Sequence, residues 1–321
     1  MATSDLRSTS PPPAIFFGGC SWGCIYHIGV YSGFVQRFGL DNLKQCLWGG
    51  ASSGALAALV GALSWTPEQA RALYDTLADL ALRYGVFGKM SIYHALVLEQ
   101  MLPDGGSEYR ALRGRLHVGV TRAPWKNDVI SDGWSSNREL KDVMHASMHI
   151  PFASACCYTF TSIPHRYYMN HTAPLPDGCR AIDGGFTANL ARIGESSPTC
   201  TVCVFSRDAT VHPEKSYSML RDCFAPMDSA RRDAAVSEGI RDALRAETDA
   251  ERLRAPPTGL TTGSVASLLP AWPVPARVAL QAGVAAAGWA GRISEEPKGA
   301  VGLAVGMAAA ATAAHTIASR L

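Results

Sequence analysis

Gly50-Ala51-Ser52-Ser53-Gly54 lies between a short apolar run, Cys46-Leu47-Trp48, and an Ala/Leu-rich run from Ala55 to Leu63. The order reads as strand, sharp turn, helix. Glycine on either side of the serine pair lets other backbone pass close by, where a Cβ would stand in the way. A turn of this kind lifts the Ser52 hydroxyl out of the backbone plane. The helix that follows aims its first N–H groups at the same point, where they favour negative charge. A nucleophilic serine needs all of this. A Gly/Ser loop ahead of a core helix needs only the loop, and the pentapeptide alone fits either reading.

The surroundings narrow the choice. Ala14 to Phe17 reads as a buried strand, Gly18 to Gly23 as a loop and Cys24 to Phe38 as a helix. Thr66-Pro67-Glu68-Gln69 has the form of a capping box with Pro at the first helical position. It opens a helix on which Ala70, Leu73, Tyr74, Leu77, Leu80, Ala81 and Tyr84 recur at helical spacing. Ile92 to Leu102 reads as a further helix, and Arg115 to Thr121 and Asp128 to Ser131 as strands. Ser136-Asn137-Arg138-Glu139 is a second capping box, opening a helix to about Met148 that Pro151 ends. Residues 153–178 read as irregular. Cys179 to Ile182 is a short strand ending at Asp183-Gly184-Gly185. Thr199 to Phe205 is the last clear strand, and Asp228 to about Arg254 one long charged helix. This alternation predicts an α/β fold with a mostly parallel central sheet and helices on both faces. Sites in such sheets lie at the carboxyl ends of strands. Three glycine-rich turns fall there: Gly18 to Gly23, Gly50 to Gly54 and Asp183 to Gly185.

At 321 residues and 47% hydrophobic content, the chain can bury one large core, or one core plus an appendage. A net charge of +2 without a basic run gives no electrostatic case for nucleic acid. The nine cysteines sit mostly in apolar runs, where free thiols behave as small core residues. Cys200-x-x-Cys203 lies inside an apolar strand pattern and reads as core rather than as a metal site. Residues 1–13 are polar and Pro-rich with no apolar signal region, so a disordered lead-in and a reducing, intracellular setting are expected. Residues 14–255 form the expected domain. From 256 to 321 Pro, Gly and Ala dominate. Gly299 to Ala318 has no Asp, Glu, Lys or Arg and is long enough to cross a bilayer, although its Ala/Gly content drives insertion weakly. Val278 to Gly291 is too short to span alone. A tail that packs on the domain and one that meets a membrane or lipid droplet both remain open.

A serine nucleophile needs a base to take its proton and donors to hold the oxyanion. The α/β-hydrolase order of Ser, acid, His places several strands before the serine. Here about one strand and one helix precede Ser52, so the base is sought elsewhere. Asp183 ends an apolar strand and is followed by two glycines, which suits close approach to another turn. It is the best candidate for a two-member Ser–Asp site; an Asp-Gly turn between strands is the alternative. An ordinary carboxylate, with a pKa of about 3.9, is a weak base, so such a site works only if preorganised. Gly18, Gly19 and neighbouring amides are candidates for the oxyanion donors. His212, in a loop-like Thr-Val-His-Pro, is the one sensible partner for a triad. His27 reads as packing. His145 and His149, four apart at a helix end, lack a third ligand and read as packed or solvated.

Several segments together resemble the patatin-like phospholipase family, and within it the adiponutrin and adipose-triglyceride-lipase-like branch. They are Ile25-Tyr-His-Ile-Gly-Val30 after the Gly-rich loop, Gly50-Ala-Ser-Ser-Gly54, and Leu116-His-Val-Gly-Val-Thr-Arg122 with Val129-Ile-Ser-Asp132. Also similar are His145-Ala-Ser-Met-His-Ile-Pro-Phe152, Ala181-Ile-Asp-Gly-Gly-Phe186 with Asn189, and Gly239-Ile-Arg-Asp-Ala-Leu-Arg245. The likeness runs over about residues 14–247. It implies a three-layer α/β sandwich with Ser52 as nucleophile and Asp183 as proton acceptor. The backbone of Gly19, Cys20 and Ser21 would be the oxyanion hole, and Gly18, Gly50, Gly54, Gly184 and Gly185 the motif glycines. It also implies fatty-acyl ester hydrolysis on acylglycerols or phospholipids through an acyl-enzyme, with no metal or cofactor. The partners implied are lipid and, in an otherwise cytoplasmic protein, a membrane or droplet surface. A catalytically weak lipid-binding or regulatory protein and an acylglycerol transacylase are the alternatives. The chain departs from the family at the oxyanion loop, where Ser21 replaces a glycine and Cys24 stands for the last glycine, with Gly23 one place earlier. If position 21 needs a positive φ, serine there costs on the order of 1 kcal/mol.

Overall fold

The computed structural model describes residues 12–86, 89–123, 125–150, 172–191, 193 and 199–247. Among the described residues seven strands make one sheet: β1 (Ala14–Phe17), β2 (Leu47–Ala51), β3 (Leu116–Arg122), β4 (Lys126–Ile130), β5 (Ala173–Pro174), β6 (Arg180–Asp183) and β7 (Thr199–Val202). The helices flanking it are α1 (Cys24–Phe38), α2 (Leu40–Leu43), α3 (Ser53–Ala62), α4 (Pro67–Tyr84), α5 (Met90–Met101), α6 (Glu108–Leu112), α7 (Asn137–Ser147) and α8 (Ser229–Arg245). The centre of the sheet is parallel, in the order β3-β2-β1-β7. β4 and β6 join β3 antiparallel, and β5 joins β6. The strand expected over 46–48 runs on to Ala51, and α3 begins at Ser53 rather than Ala55, so strand and helix abut at Ser52.

β3 organises the site. Gly119 pairs with Ala51 on one side and Val129 on the other, while Val120 pairs with Asp183 and Asp128. β4 therefore takes one edge of β3, and β2 and β6 share the other. β2 runs along that edge with β3 and β6 runs against it, so their carboxyl ends meet at Gly119 and Val120. Two residues remote in sequence, Ser52 and Asp183, are brought together by that register alone.

The sheet separates two apolar cores. Ile15, Phe17, Trp48 and Val118 belong to the large one, with the buried sides of α1, α3, α4, α5 and α7. Ala14, Phe16 and Ala51 belong to a small one, closed by Ala188, Ala191 and Ile193. Thr66 caps α4 reciprocally, its Oγ1 accepting the Gln69 N–H while Gln69 Oε1 accepts the Thr66 N–H. α7 has half a box. Ser136 Oγ accepts the Glu139 N–H, but the Glu139 carboxylate takes the Ser135 N–H and hydroxyl instead of the Ser136 N–H. β7 stops at Val202, short of Phe205, because the Cys203 N–H turns to the Val211 carbonyl.

α8 lies against α1 with the backbones in contact. A Cβ on Gly29 would stand 2.4 Å from the Val236 carbonyl oxygen, and one on Gly239 would stand 2.4 Å from that of Tyr26. The Tyr26 hydroxyl donates to Asp242, and Arg37 donates to the Ala243 and Ala246 carbonyls at the end of α8. Asp228 is the cap of α8, which ends at Arg245, earlier than the charge pattern suggested. The appendage expected over 256–321 and the aromatic stretch Tyr158 to Tyr168 lie outside the described residues. Among the described residues no helix is long and apolar enough to cross a membrane.

Candidate active site

Ser52 sits on the corner between β2 and α3 at φ 54° and ψ −131°, a region that side-chain-bearing residues seldom occupy. Two contacts hold it there. The Ser52 N–H donates to Ser147 Oγ (2.9 Å), and the Ser147 hydroxyl donates to the Gly119 carbonyl (2.7 Å). The corner is tight enough that a Cβ on Gly50 would stand 2.2 Å from the Gly54 carbonyl oxygen. One on Gly54 would stand 2.2 Å from that of Phe17. Glycine at both positions is a packing requirement, as the sequence pattern suggested.

Asp183 is the last residue of β6 and is 4% exposed. Its Oδ1 accepts the Gly185 N–H (2.7 Å), its own N–H donates to the His149 carbonyl (2.9 Å), and its carbonyl accepts the Thr121 hydroxyl (2.9 Å). Burial raises the carboxyl from 3.8 to about 6, against smaller lowering effects from the Ser52 hydroxyl and the Gly185 N–H. Oδ2 is buried with no hydrogen bond of normal geometry. The Ser52 hydroxyl thus lies near enough to steady the carboxylate without a fully formed bond. Loose contacts of this kind commonly tighten when substrate binds.

Gly19 packs on the serine, since a Cβ there would stand 2.9 Å from Ser52 Cβ. Its N–H donates to Asn189 Oδ1 (2.6 Å), and the Cys20 N–H donates to Ser53 Oγ (3.1 Å). Two of the three candidate oxyanion amides are therefore engaged by side chains in this state. Ser21 has φ 49°, so position 21 does take the left-handed conformation that suits glycine.

Gly19, Cys20, Ser21, Ser52 and Asp183 all line one cavity of about 470 Å³. Beyond them its walls are apolar side chains from α3, α4 and α5, including Leu56, Val60, Leu73, Leu77, Val97 and Met101. His212 does not line it. Its Nδ1 lies 3.0 Å from the Pro213 carbonyl, in the loop after β7, so the triad reading loses its base. His94 does line the cavity, and burial, helped by His145 and His149, pushes it down to about 3, so it is neutral near pH 7. His27 packs on Phe17 at 5.2 Å between ring centroids, as expected, and burial lowers it to about 3. Cys200 and Cys203 are free thiols, in β7 and just after it. Among the described residues no group of three His, Cys, Asp or Glu side chains is placed to hold a metal ion.

Sequence reasoning missed two residues of this arrangement. Ser147 was visible only as part of a motif, and nothing in its helical spacing signals the bond to the Ser52 amide. Asn189 stands in the sequence only as a residue after the Asp-Gly-Gly motif, with no local sign that it accepts the Gly19 N–H.

The structure thus sets a serine on a strained strand-to-helix corner of an α/β sheet, beside a buried carboxyl and at the edge of an apolar cavity. The patatin-like phospholipase family model matches residues 15–192, and the chain belongs to that family, as its motifs implied. It is 26% identical over 216 residues to patatin-like phospholipase domain-containing protein 2 of Bos taurus, covering 65% of this chain and 40% of that protein. It is 24% identical over 208 residues to the human 1-acylglycerol-3-phosphate O-acyltransferase PNPLA3, covering 63% of this chain and 39% of that one. It is 26% identical over 207 residues to human patatin-like phospholipase domain-containing protein 4, covering 62% of this chain and 74% of that one. The match thus spans about two fifths of the first two relatives' length. Membership supports lipid acyl hydrolysis as the general activity.

Proposed function

We propose that the protein cleaves fatty-acyl esters of acylglycerols or phospholipids through a Ser52–Asp183 dyad and an acyl-enzyme. The observation that carries this reading is the opening of Ser52 and a buried carboxyl, one of whose oxygens has no hydrogen bond, into the same apolar cavity. Ser52 Oγ attacks the ester carbonyl carbon as its proton passes to Asp183. The oxyanion lies against the amides around Gly19. The alcohol leaves with the proton from Asp183, and water then attacks the acyl-enzyme by the reverse sequence, releasing the fatty acid. The N-terminus of α3 favours the negative charge that develops. The Gly19 amide becomes available only if Asn189 Oδ1 gives way to the substrate oxygen.

That last requirement, with a serine at φ 49° in the oxyanion loop, favours a second reading: a weakly catalytic lipid-binding protein. A third, acyl transfer to another acylglycerol, draws on the activity named for one relative. We assign the partner as lipid at a membrane or droplet surface. The test is the purified wild type beside Ser52→Ala on triacylglycerol, phospholipid and monoacylglycerol, with and without an acyl acceptor. Fatty-acid release that vanishes in the variant, with fluorophosphonate labelling of Ser52, supports the dyad. Release at the full rate from Ser52→Ala ends it, and an unlabelled Ser52 in the wild type favours the weakly catalytic reading.

A further inference from the structure

Large apolar side chains on the surface are not scattered over this protein. Seven are exposed among the described residues, and four of them, Ile150, Phe186, Met219 and Phe224, line the cavity. A fifth, Trp125, is 67% exposed and packs edge-to-face on Phe186 at 6.0 Å. They come from separate places: the end of α7, the turn after Asp183, the segment before α8, and the β3–β4 turn. Trp125 is held at φ 99°, where a β-hairpin usually places glycine or asparagine. The fold therefore displays a large indole at a turn position that would suit a small residue. Apolar surface gathered at one opening marks a contact site rather than ordinary surface.

The charges beside this collar say what it meets. Arg122, at the foot of the hairpin, is bridged by Asp128 and Asp177. Arg221, between Met219 and Phe224, shares Asp222 with Arg231. Lys126, next to Trp125, is exposed. Arg122, Lys126, Arg221 and Arg231 stand against Asp128, Asp177 and Asp222, which leaves about one positive charge beside the collar, too weak a field to require an anionic surface. We infer that Trp125, Phe186, Met219 and Phe224 form a collar that seats the cavity mouth on a zwitterionic lipid surface. The collar lets a lipid pass from that surface into the cavity without crossing water. The inference rests on the lipid reading of the site, but its test does not require catalysis.

The test uses full-length protein carrying Ser52→Ala with Trp272→Phe and Trp289→Phe, so that the tail contributes no tryptophan signal, and phosphatidylcholine vesicles with brominated acyl chains. Trp125 is the one exposed tryptophan among the described residues, the other four being buried. The expected result is vesicle binding with quenching of tryptophan fluorescence, little changed between low and high salt. Trp125→Phe keeps the binding and loses that quenching. Trp125→Ser and Phe224→Ser each lower the partition coefficient roughly tenfold or more. The inference is overturned if binding is unchanged in both serine variants, because another segment then carries it. It is overturned if binding needs anionic lipid, or if Trp125 becomes shielded with rising protein concentration and no vesicles, because a second copy then covers the collar. Loss of hydrolysis in the wild type would leave all these readings intact and bear only on the dyad.

Discussion

Replacing Asp183 with asparagine should make the protein more stable while destroying its activity. The carboxyl is 4% exposed, has one normal hydrogen bond, from the Gly185 N–H, and is raised from 3.8 to about 6 by burial. Asparagine keeps an oxygen for that bond and carries no charge. The sign follows from proton binding. Between roughly pH 4 and pH 6 the folded chain holds a proton that the unfolded chain has released, so wild-type stability falls as pH rises through that window. Above it the full difference persists, worth at most about 3 kcal/mol. Asp183→Asn lacks this dependence. Near pH 4 the two proteins should be nearly equal, and at pH 8 the variant should melt roughly 6–12 °C higher. Urea unfolding at a series of pH values measures the gap directly. Meanwhile kcat/KM of the wild type should rise with pH through about 6 as the carboxylate forms. Loss of the acceptor should cost roughly a hundred- to ten-thousand-fold in rate. A variant less stable than wild type at pH 8, or a stability gap that does not change with pH, would refute the placement of a desolvated carboxyl.

Two further outcomes test the corner and the loop. Ser147→Ala leaves the buried Ser52 N–H without its acceptor and should cost about 1–3 kcal/mol by urea unfolding. It should also lower kcat more than it changes KM, because the bond sets the corner rather than touching substrate. Ser21→Gly removes the left-handed strain at φ 49° but loosens the unfolded chain. The net effect should be roughly 0.5–1 kcal/mol of stabilisation, and an unchanged or lower Tm would count against strain at that position.

Local order was legible in the sequence. The limits of α1 follow from the glycine loop before Cys24 and Gly39 after Phe38, and the Thr66 cap declared its own geometry. What escaped depends on long-range register. Arg115 to Thr121 and Asp128 to Ser131 were correctly read as extended, but nothing local says that they pair antiparallel. Nor does it say that β6 completes the edge of β3 which β2 leaves unfilled. Ser52 and Asp183 stood out because their neighbours are glycine. Ser147 did not, because a serine in the last turn of a helix has many uses, and only the fold selects one. The length of α8 was overread because charge alternation continues past Arg245, while the packing against α1 ends near Ala243 and Ala246.

The stretch recognised by the family model ends at 192, yet β7 zips onto the open side of β1 and α8 lies directly on the backbone of α1. A fragment trimmed to the recognised stretch would bare the main-chain edge beside Phe16 and Phe17 and strip the glycine face of α1. Anyone shortening this protein for expression should keep at least the chain through Glu247, because β7 and α8 complete the wall from which the serine corner is hung.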